Sequence, residues 1–247
     1  MPGLSGKTAL VTGSARRIGS AIATHLAHEG VNVVIHYHES KEEARKLHNE
    51  IVKLGVKSWL FSCDLADPEE CKTLIDEAIA SAGELDILVN NASVFSAKNF
   101  HDFDVEDVNA EMRTNAWAPL ILSRHFSEKT EKGQIVNILD TRIVGYDFNH
   151  FTYYLSKRML ETLTESLALK LAPRIRVNGV APGLVLAPEG KDKSYLNRLK
   201  DEVPLRKHGS PSDVVNAVIF LLKSEFITGQ VIYVDGGKHL VQTIEGL

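Results

Sequence analysis

Short apolar runs alternate with longer stretches of helical rhythm along almost the whole chain, and no other feature restricts the fold so tightly. The runs that read as strands are Thr8–Val11, Asn32–Tyr37, Ser58–Ser62, Asp86–Asn90, Gln134–Leu139, Arg176–Val180 and Val231–Val234. Several are apolar at nearly every position, as expected of parallel strands covered on both faces. The segments between them carry helix signals. Ser40 with Glu43 makes a capping-box pattern ahead of a helix expected to reach about Leu54, where Gly55 stops it. Asp67-Pro68 and Ser210-Pro211 each place a capping side chain before a proline at the first helical position. This alternation over 247 residues predicts one α/β domain: a doubly wound parallel sheet of about seven strands with helices on both faces. Pro182–Lys207, with three prolines and many charges, is the one long irregular stretch and reads as a substrate lid.

Composition removes several classes of function. Lys+Arg of 28 against Asp+Glu of 32 gives a net charge of -4, so a basic nucleic-acid binder is not expected. Two cysteines, Cys63 and Cys71, exclude a disulfide framework and a four-cysteine zinc site, and read as reduced thiols. No apolar run approaches the roughly 18 residues of a membrane span. The N-terminus lacks a signal-peptide layout, because a strand-like run begins at Thr8. A soluble, cytoplasmic protein is the expectation.

The first strand runs into Thr12-Gly13-Ser14-Ala15-Arg16-Arg17-Ile18-Gly19, and an amphipathic helix follows to about Glu29. Small residues in such a turn let backbone amides approach a pyrophosphate at the helix N-terminus. A glycine pair alone says little; its position between first strand and first helix supports the dinucleotide reading. Gly6-Lys7-Thr8 is not a P-loop, because Met1 stands where that motif needs glycine. The second strand closes on His36-Tyr37-His38-Glu39-Ser40. An NAD site usually has an acid at the end of this strand for the ribose hydroxyls. Here Tyr37 and His38 occupy it, and Arg17 from the glycine turn is placed to pair with a 2'-phosphate, which favours NADP. Glu39 works the other way: it would accept ribose hydroxyls or repel a phosphate. His36 and His38 share a strand face, but no third ligand for a metal is apparent.

Tyr153 and Lys157 are four residues apart within the helical rhythm of Asn149–Leu171, so they share a face. A phenol with a pKa near 10 is a poor proton shuttle at neutral pH. A lysine cation about 4 Å away supplies roughly the 4 kcal/mol needed to lower it by about 3 units. The pair is therefore expected to act as an acid. Asp140 ends the fifth strand, and Asn90-Asn91-Ala92-Ser93 ends the fourth on the same edge, where open α/β sheets place ligands. Asn115 sits inside a helical pattern, where asparagine is mildly unfavourable.

These residues together resemble the short-chain dehydrogenase/reductase superfamily over nearly the whole chain. The resemblance is carried by the glycine turn, Asp64 after the third strand, Asn90-Asn91-Ala92, Asn115, Tyr153 with Lys157, Pro182-Gly183 and Asp235-Gly236-Gly237. Most members have a serine 13 residues before the tyrosine; this chain has Asp140. That departure, Arg17 in place of the middle glycine, and His36-Tyr37-His38 with Ser40 are similar to the pteridine reductase branch. Phe95 matches the aromatic residue that stacks on the pterin there. Ala181-Pro182-Gly183 with Pro188-Glu189-Gly190 is similar to its bacterial members, whereas Glu39 and Val185 depart from the protozoan pattern of arginine and serine.

The resemblance implies an NADPH-dependent reductase of pterins that assembles as a homotetramer. It implies catalytic roles for Asp140, Tyr153, Lys157 and Asn115. Cofactor contacts would come from Gly13, Arg17, Ile18, Gly19, Tyr37, His38, Glu39, Ser40, Asp64, Leu65, Asn91, Ala92, Ser93, Lys157, Pro182 and Gly183. Arg17, Ser93, Phe95, Asp140 and Tyr153 would hold the pterin. A 3-oxoacyl-type carbonyl reductase on the same scaffold is the alternative enzyme. A dinucleotide-sensing regulator is the alternative outside enzymes, against which the intact Tyr153 and Lys157 argue.

Overall fold

The computed structural model describes residues 3–188, 190–191, 193–241 and 244–245. Glu189, part of the Pro188-Glu189-Gly190 resemblance, lies outside the described residues. Seven strands form one parallel sheet in the order β3-β2-β1-β4-β5-β7-β8. They are β1 (Thr8–Val11), β2 (Asn32–Tyr37), β3 (Ser58–Ser62), β4 (Ile87–Asn90), β5 (Gly133–Ile138), β7 (Ile175–Pro182) and β8 (Val231–Val234). All seven expected strands are present, with ends that shift by one or two residues. Two further strands were not expected: β6 (Tyr146–Asp147) and β9 (Ile244–Glu245), which pair only with each other.

The helices cover both faces. They are α1 (Arg17–His28), α2 (Lys41–Lys53), α3 (Pro68–Ala82), α4 (Val105–Met112), α5 (Ala118–Lys129), α6 (Phe151–Leu171), α7 (Lys193–Leu199) and α8 (Pro211–Lys223). One core joins β1, β2, β4 and β5 to α1, α2 and α8 through residues such as Val33, Ile35, Leu26 and Val218. The other joins the opposite face to α3, α5 and α6 through Leu88, Leu74, Phe126 and Leu167. Burying a side chain of this size contributes about 1.5–3 kcal/mol. Two cores on one sheet therefore explain strands that are apolar on both faces.

The helix starts divide. Asp67 caps α3 by accepting from the amides of Glu69 at 2.8 Å and Glu70 at 3.2 Å, as expected. Before α8, Asp213 accepts from both the amide and the hydroxyl of Ser210, at 2.8 and 2.7 Å. The capping box expected from Ser40 and Glu43 does not form: the Ser40 side chain makes no cap bond to α2. Ser40 instead faces the cleft. The lid stretch is also more regular than its prolines suggest, since it contains α7 and a 3-10 turn at Lys200–Glu202.

The chain crosses from the β3 edge back to the centre to form β4. That reversal opens a crevice beyond the carboxyl ends of β1 and β4, the position where doubly wound sheets bind ligands.

Candidate active site

A cleft of about 1440 Å³ runs over those strand ends. Drug-sized sites occupy about 300–1,000 Å³, so this one has room for a dinucleotide and a second molecule. Gly13, Arg17, Ile18, Gly19, Tyr37, His38, Glu39, Ser40, Asp64, Leu65, Asn91, Ala92, Ser93, Pro182 and Gly183 all line it. So do Phe95, Asp140, Tyr153 and Lys157.

The glycine turn is held from three sides. Gly13 takes a left-handed φ of 60°. Its amide donates to His36 Nδ1 at 3.0 Å, while His36 Nε2 bonds the Cys63 carbonyl at 3.0 Å. That pattern puts the ring proton on Nε2, since Nδ1 must accept. Both nitrogens of His36 are thus engaged in fixing the turn to β2 and β3, which leaves neither for a metal. Asn91 Nδ2 bonds the carbonyls of Thr12 and Gly13 at 2.9 and 3.2 Å. A Cβ on Gly19 would fall inside the Gly13 carbonyl and 2.6 Å from Asn91 Nδ2, so only glycine fits there. The first turn of α1 has no side-chain cap and no acidic residue. Its amides are open to an anion, as a pyrophosphate requires.

Arg17 holds a left-handed φ of 59°, which non-glycine residues adopt at a cost of order 1 kcal/mol. Such strain concentrates where a side chain is needed. Its guanidinium donates to the Ala187 carbonyl at 2.8 Å. It thereby ties the glycine turn to the Pro182–Lys207 stretch.

At the other end, Tyr153 and Lys157 lie one turn apart on α6, both buried. The Tyr153 hydroxyl donates to Asp140 Oδ2 at 3.0 Å. Lys157 Nζ donates to the Ile138 carbonyl at 2.9 Å and sits 5.7 Å from the Tyr153 ring centroid. The electrostatics correct the sequence expectation. Burial, and then the Asp140 carboxylate, push the phenol well above its usual value instead of below it. Burial lowers Lys157 to about 8, against the pull of Asp140 and Glu111. Tyr153 is therefore held protonated as a donor, and the nearby cations must offset the charge left when its proton goes.

Asp140 serves twice. Oδ1 accepts the Arg142 amide at 2.8 Å, which caps the 3-10 turn at Thr141–Ile143, and Oδ2 takes the phenol. Arg142 Nη1 is 3.4 Å from Asp140 Oδ2, and its Nε donates to the buried Asp147 Oδ2 at 2.7 Å. Burial alone would raise the Asp147 carboxyl, but His150 and Arg142 outweigh it and hold it below the usual range. Phe95 projects among these groups, 45% exposed. Its ring stacks on His150 at 4.7 Å, meets Tyr153 edge-on at 4.7 Å and lies 5.6 Å from the Arg142 guanidinium carbon.

The loop that carries Phe95 hangs from two buried polar residues. Asn115 belongs to a π-helical turn, Arg113–Trp117, between α4 and α5. It bonds the Val94 amide and carbonyl at 2.9 Å each, Ser93 Oγ at 3.1 Å and Ser156 Oγ at 2.9 Å. These bonds engage its side-chain amide with the loop and with α6; the resemblance implied a catalytic role for it. One turn earlier, Glu111 Oε1 accepts the Ser96 amide at 2.9 Å and the Ser96 hydroxyl. Burial raises the Glu111 carboxyl, and its Oε2 is buried without a hydrogen-bond partner. Sequence reading passed over Glu111 and gave His36 no structural task. Glu111 is four residues before Asn115, on one face, and His36 is the polar member of an apolar run; those were the available signals.

Comparison with known proteins agrees with this geometry. The profile of the family described as Enoyl-(Acyl carrier protein) reductase matches residues 13–239. The chain is a short-chain dehydrogenase/reductase. It is 35% identical to the 3-oxoacyl-[acyl-carrier-protein] reductase FabG of Staphylococcus aureus, over 95% of this chain and 98% of that one. It is 33% identical to the glucose and ribitol dehydrogenase of Daucus carota, over 95% and 85% respectively. The crystal structure of FolM alternative dihydrofolate reductase 1 from Brucella canis, complexed with NADP, superposes with a TM-score of 0.92. That pair shares 33% identity over 96% of each chain. The protein is thus an oxidoreductase of this family. Among the described residues no helix is long and apolar enough to cross a membrane.

Proposed function

We propose that the protein is an NADPH-dependent pteridine reductase, converting a 7,8-dihydropterin to the tetrahydro form, with oxidised pterins and dihydrofolate as further substrates. The carrying observation is the Asp140 carboxylate bonded to the Tyr153 hydroxyl at 3.0 Å. Reduction of a ketone builds negative charge on an oxygen beside the tyrosine. A carboxylate about 4 Å from that oxygen opposes it by about 4 kcal/mol at an effective dielectric near 20. A ring nitrogen takes up its proton as the ketone oxygen does, but the pterin also carries N–H groups, donors that a carboxylate accepts. Asp140 therefore suits the heterocycle and disfavours the ketone.

The residues fit a dinucleotide. The uncapped start of α1 would receive the pyrophosphate, the turn around Gly13 and Gly19 would let it approach, and Lys157 would hold the nicotinamide ribose. When bound, NADPH supplies the hydride. Tyr153 delivers the proton to the ring nitrogen next to the reduced carbon, so one hydride and one proton saturate the C=N. Lys157 and Arg142 offset the phenolate. Asp140 orients the phenol, or carries a proton to it through water. Phe95 offers a ring face to a flat substrate, and Arg17 and Ser93 line the cleft beside it. Ser40 and Arg17 would take the 2'-phosphate once Arg17 leaves Ala187, with Glu39 opposing them.

The homotetramer belongs to this reading. Leu169 on α6 and Phe226 after α8 expose large apolar side chains. Sedimentation as a monomer at micromolar concentration would remove that part.

The second reading, 3-oxoacyl reduction, draws on the similarity to FabG. Asp140→Ser separates the two. The variant should lose dihydropterin turnover and gain on an acetoacetyl thioester. A variant that reduces dihydropterins as well as the parent does would contradict the role given to Asp140.

A further inference from the structure

Asp235 is buried at the end of β8 and is the focus of four hydrogen bonds. It accepts from Thr141 Oγ1 at 2.6 Å, the Gly237 amide at 2.9 Å, the His239 amide at 2.7 Å and His239 Nδ1 at 2.9 Å. Burial alone would raise its carboxyl, but these donors outweigh it and hold it below the usual range. His239 Nδ1 must therefore carry a proton, and in the neutral ring Nε2 presents a lone pair. Tyr233 stacks on the imidazole at 4.3 Å and 19°, which fixes the ring plane. His239 lines the cleft.

Its surroundings place this ring at the substrate end. The turn Lys238–Leu240 packs against Thr141–Ile143, the turn that starts beside Asp140. Thr141 and His239 share the Asp235 carboxylate. Lys238 pairs with Glu202 of the lid at 3.1 Å, and past this turn β9 pairs with β6, which contains Asp147. The turn is fixed on the site side, on the lid side and beyond. A ring fixed by a buried carboxylate and a stacking partner, in a residue that lines a ligand cleft, is a preorganised hydrogen-bonding group.

We propose that the His239–Asp235 pair reads the substrate's side chain, with Nε2 accepting a hydrogen bond from a hydroxyl of a hydroxyalkyl tail on the dihydropterin ring. The inference rests on the pteridine reading and narrows its substrate class. A tail bearing hydroxyls satisfies Nε2; a bare methyl group leaves it facing an apolar atom. One neutral hydrogen bond corresponds to about 10-fold.

The test compares kcat/KM for a 7,8-dihydropterin with a dihydroxypropyl side chain against 6-methyl-7,8-dihydropterin, with NADPH, in the wild type and in His239→Phe. Phenylalanine keeps a ring for Tyr233 and removes both nitrogens. The wild type should favour the hydroxylated substrate by about 10-fold, and the variant's ratio should fall toward 1. A wild type that does not discriminate overturns the proposal without any variant. So does a variant that keeps the preference. Dissociation constants of the two pterins for the wild type bound to NADP+ give the same ratio should His239→Phe fail to fold. An enzyme that turns over neither dihydropterin refutes the pteridine reading itself; equal turnover of both removes only the role of His239.

Discussion

Tyr153, Asp140 and Lys157 carry opposing demands. Burial holds the phenol protonated and lowers the lysine to about 8, so the site holds an unfavourable buried cation. Tyr153→Phe keeps the ring against Phe95 and removes the donor. Turnover should fall by at least about 10² with NADPH affinity retained; a near wild-type rate would contradict its role. Lys157 makes a separate prediction in stability. Its folded value lies below the ordinary lysine value, so the penalty is fully present below pH 8 and fades as pH rises toward 10.5. Wild-type stability measured against Lys157→Met should therefore improve by about 2 kcal/mol between pH 7 and 10. The raised phenol acts in the opposite direction only above its usual value near 10. Urea unfolding at three pH values reads the slope, and a flat difference between the proteins would show that the cation is not desolvated. Sequence spacing gave the Tyr153–Lys157 pair, but not the sign of the phenol's shift. That sign depends on burial and on Asp140 lying at hydrogen-bond distance, and neither is encoded in a four-residue spacing.

The elements that frame the site differ in what can be substituted. Gly19→Ala would force a methyl into the Gly13 carbonyl and Asn91, distorting the turn proposed to receive the pyrophosphate. NADPH affinity should fall more than 10-fold by isothermal titration; affinity within twofold of wild type would mean the turn has room that its geometry denies. Asn115→Ala strips the Val94 backbone groups and Ser156 of their partners. Each group left unpaired costs about 1–3 kcal/mol, so unfolding stability should drop by at least 2 kcal/mol. Because the loop carries Phe95, KM for the pterin should rise more than kcat falls; the reverse split would assign Asn115 to the chemistry itself. The sheet was legible because both its faces are covered, which forces uninterrupted apolar runs such as Ile87–Asn90 and Asn32–Tyr37. The β6–β9 pair was not, because two-residue strands have no period to read. The Ser40 cap failed because that side chain borders the cleft. Glu111 and the π-turn at Asn115 stayed hidden because their meaning lies in contacts with a loop about twenty residues upstream.

At the scale of the whole molecule, the sheet brings the glycine turn, Tyr153 and the Pro182–Lys207 stretch to one cleft. Arg17 and Lys238 then tie down the Pro182–Lys207 stretch at two points, through Ala187 and Glu202. A charge-assisted bond from Arg17 to a 2'-phosphate is worth about 1.5–3 kcal/mol, or roughly 10- to 100-fold. Glu39 opposes it weakly, because an exposed side chain can turn into solvent. NADPH should bind more tightly than NADH, Arg17→Ala should erase most of the difference, and Glu39→Arg should widen it. Tighter binding of NADH by the wild type would give Glu39 the ribose hydroxyls. The central claim concerns the second ligand of the cleft, and a substrate panel tests it most directly. NADPH oxidation is followed at 340 nm with several 7,8-dihydropterins, dihydrofolate and an acetoacetyl thioester. The carboxylate beside Tyr153 predicts a higher kcat/KM for at least one dihydropterin than for the thioester, and preference for the thioester over every pterin in the panel would contradict it.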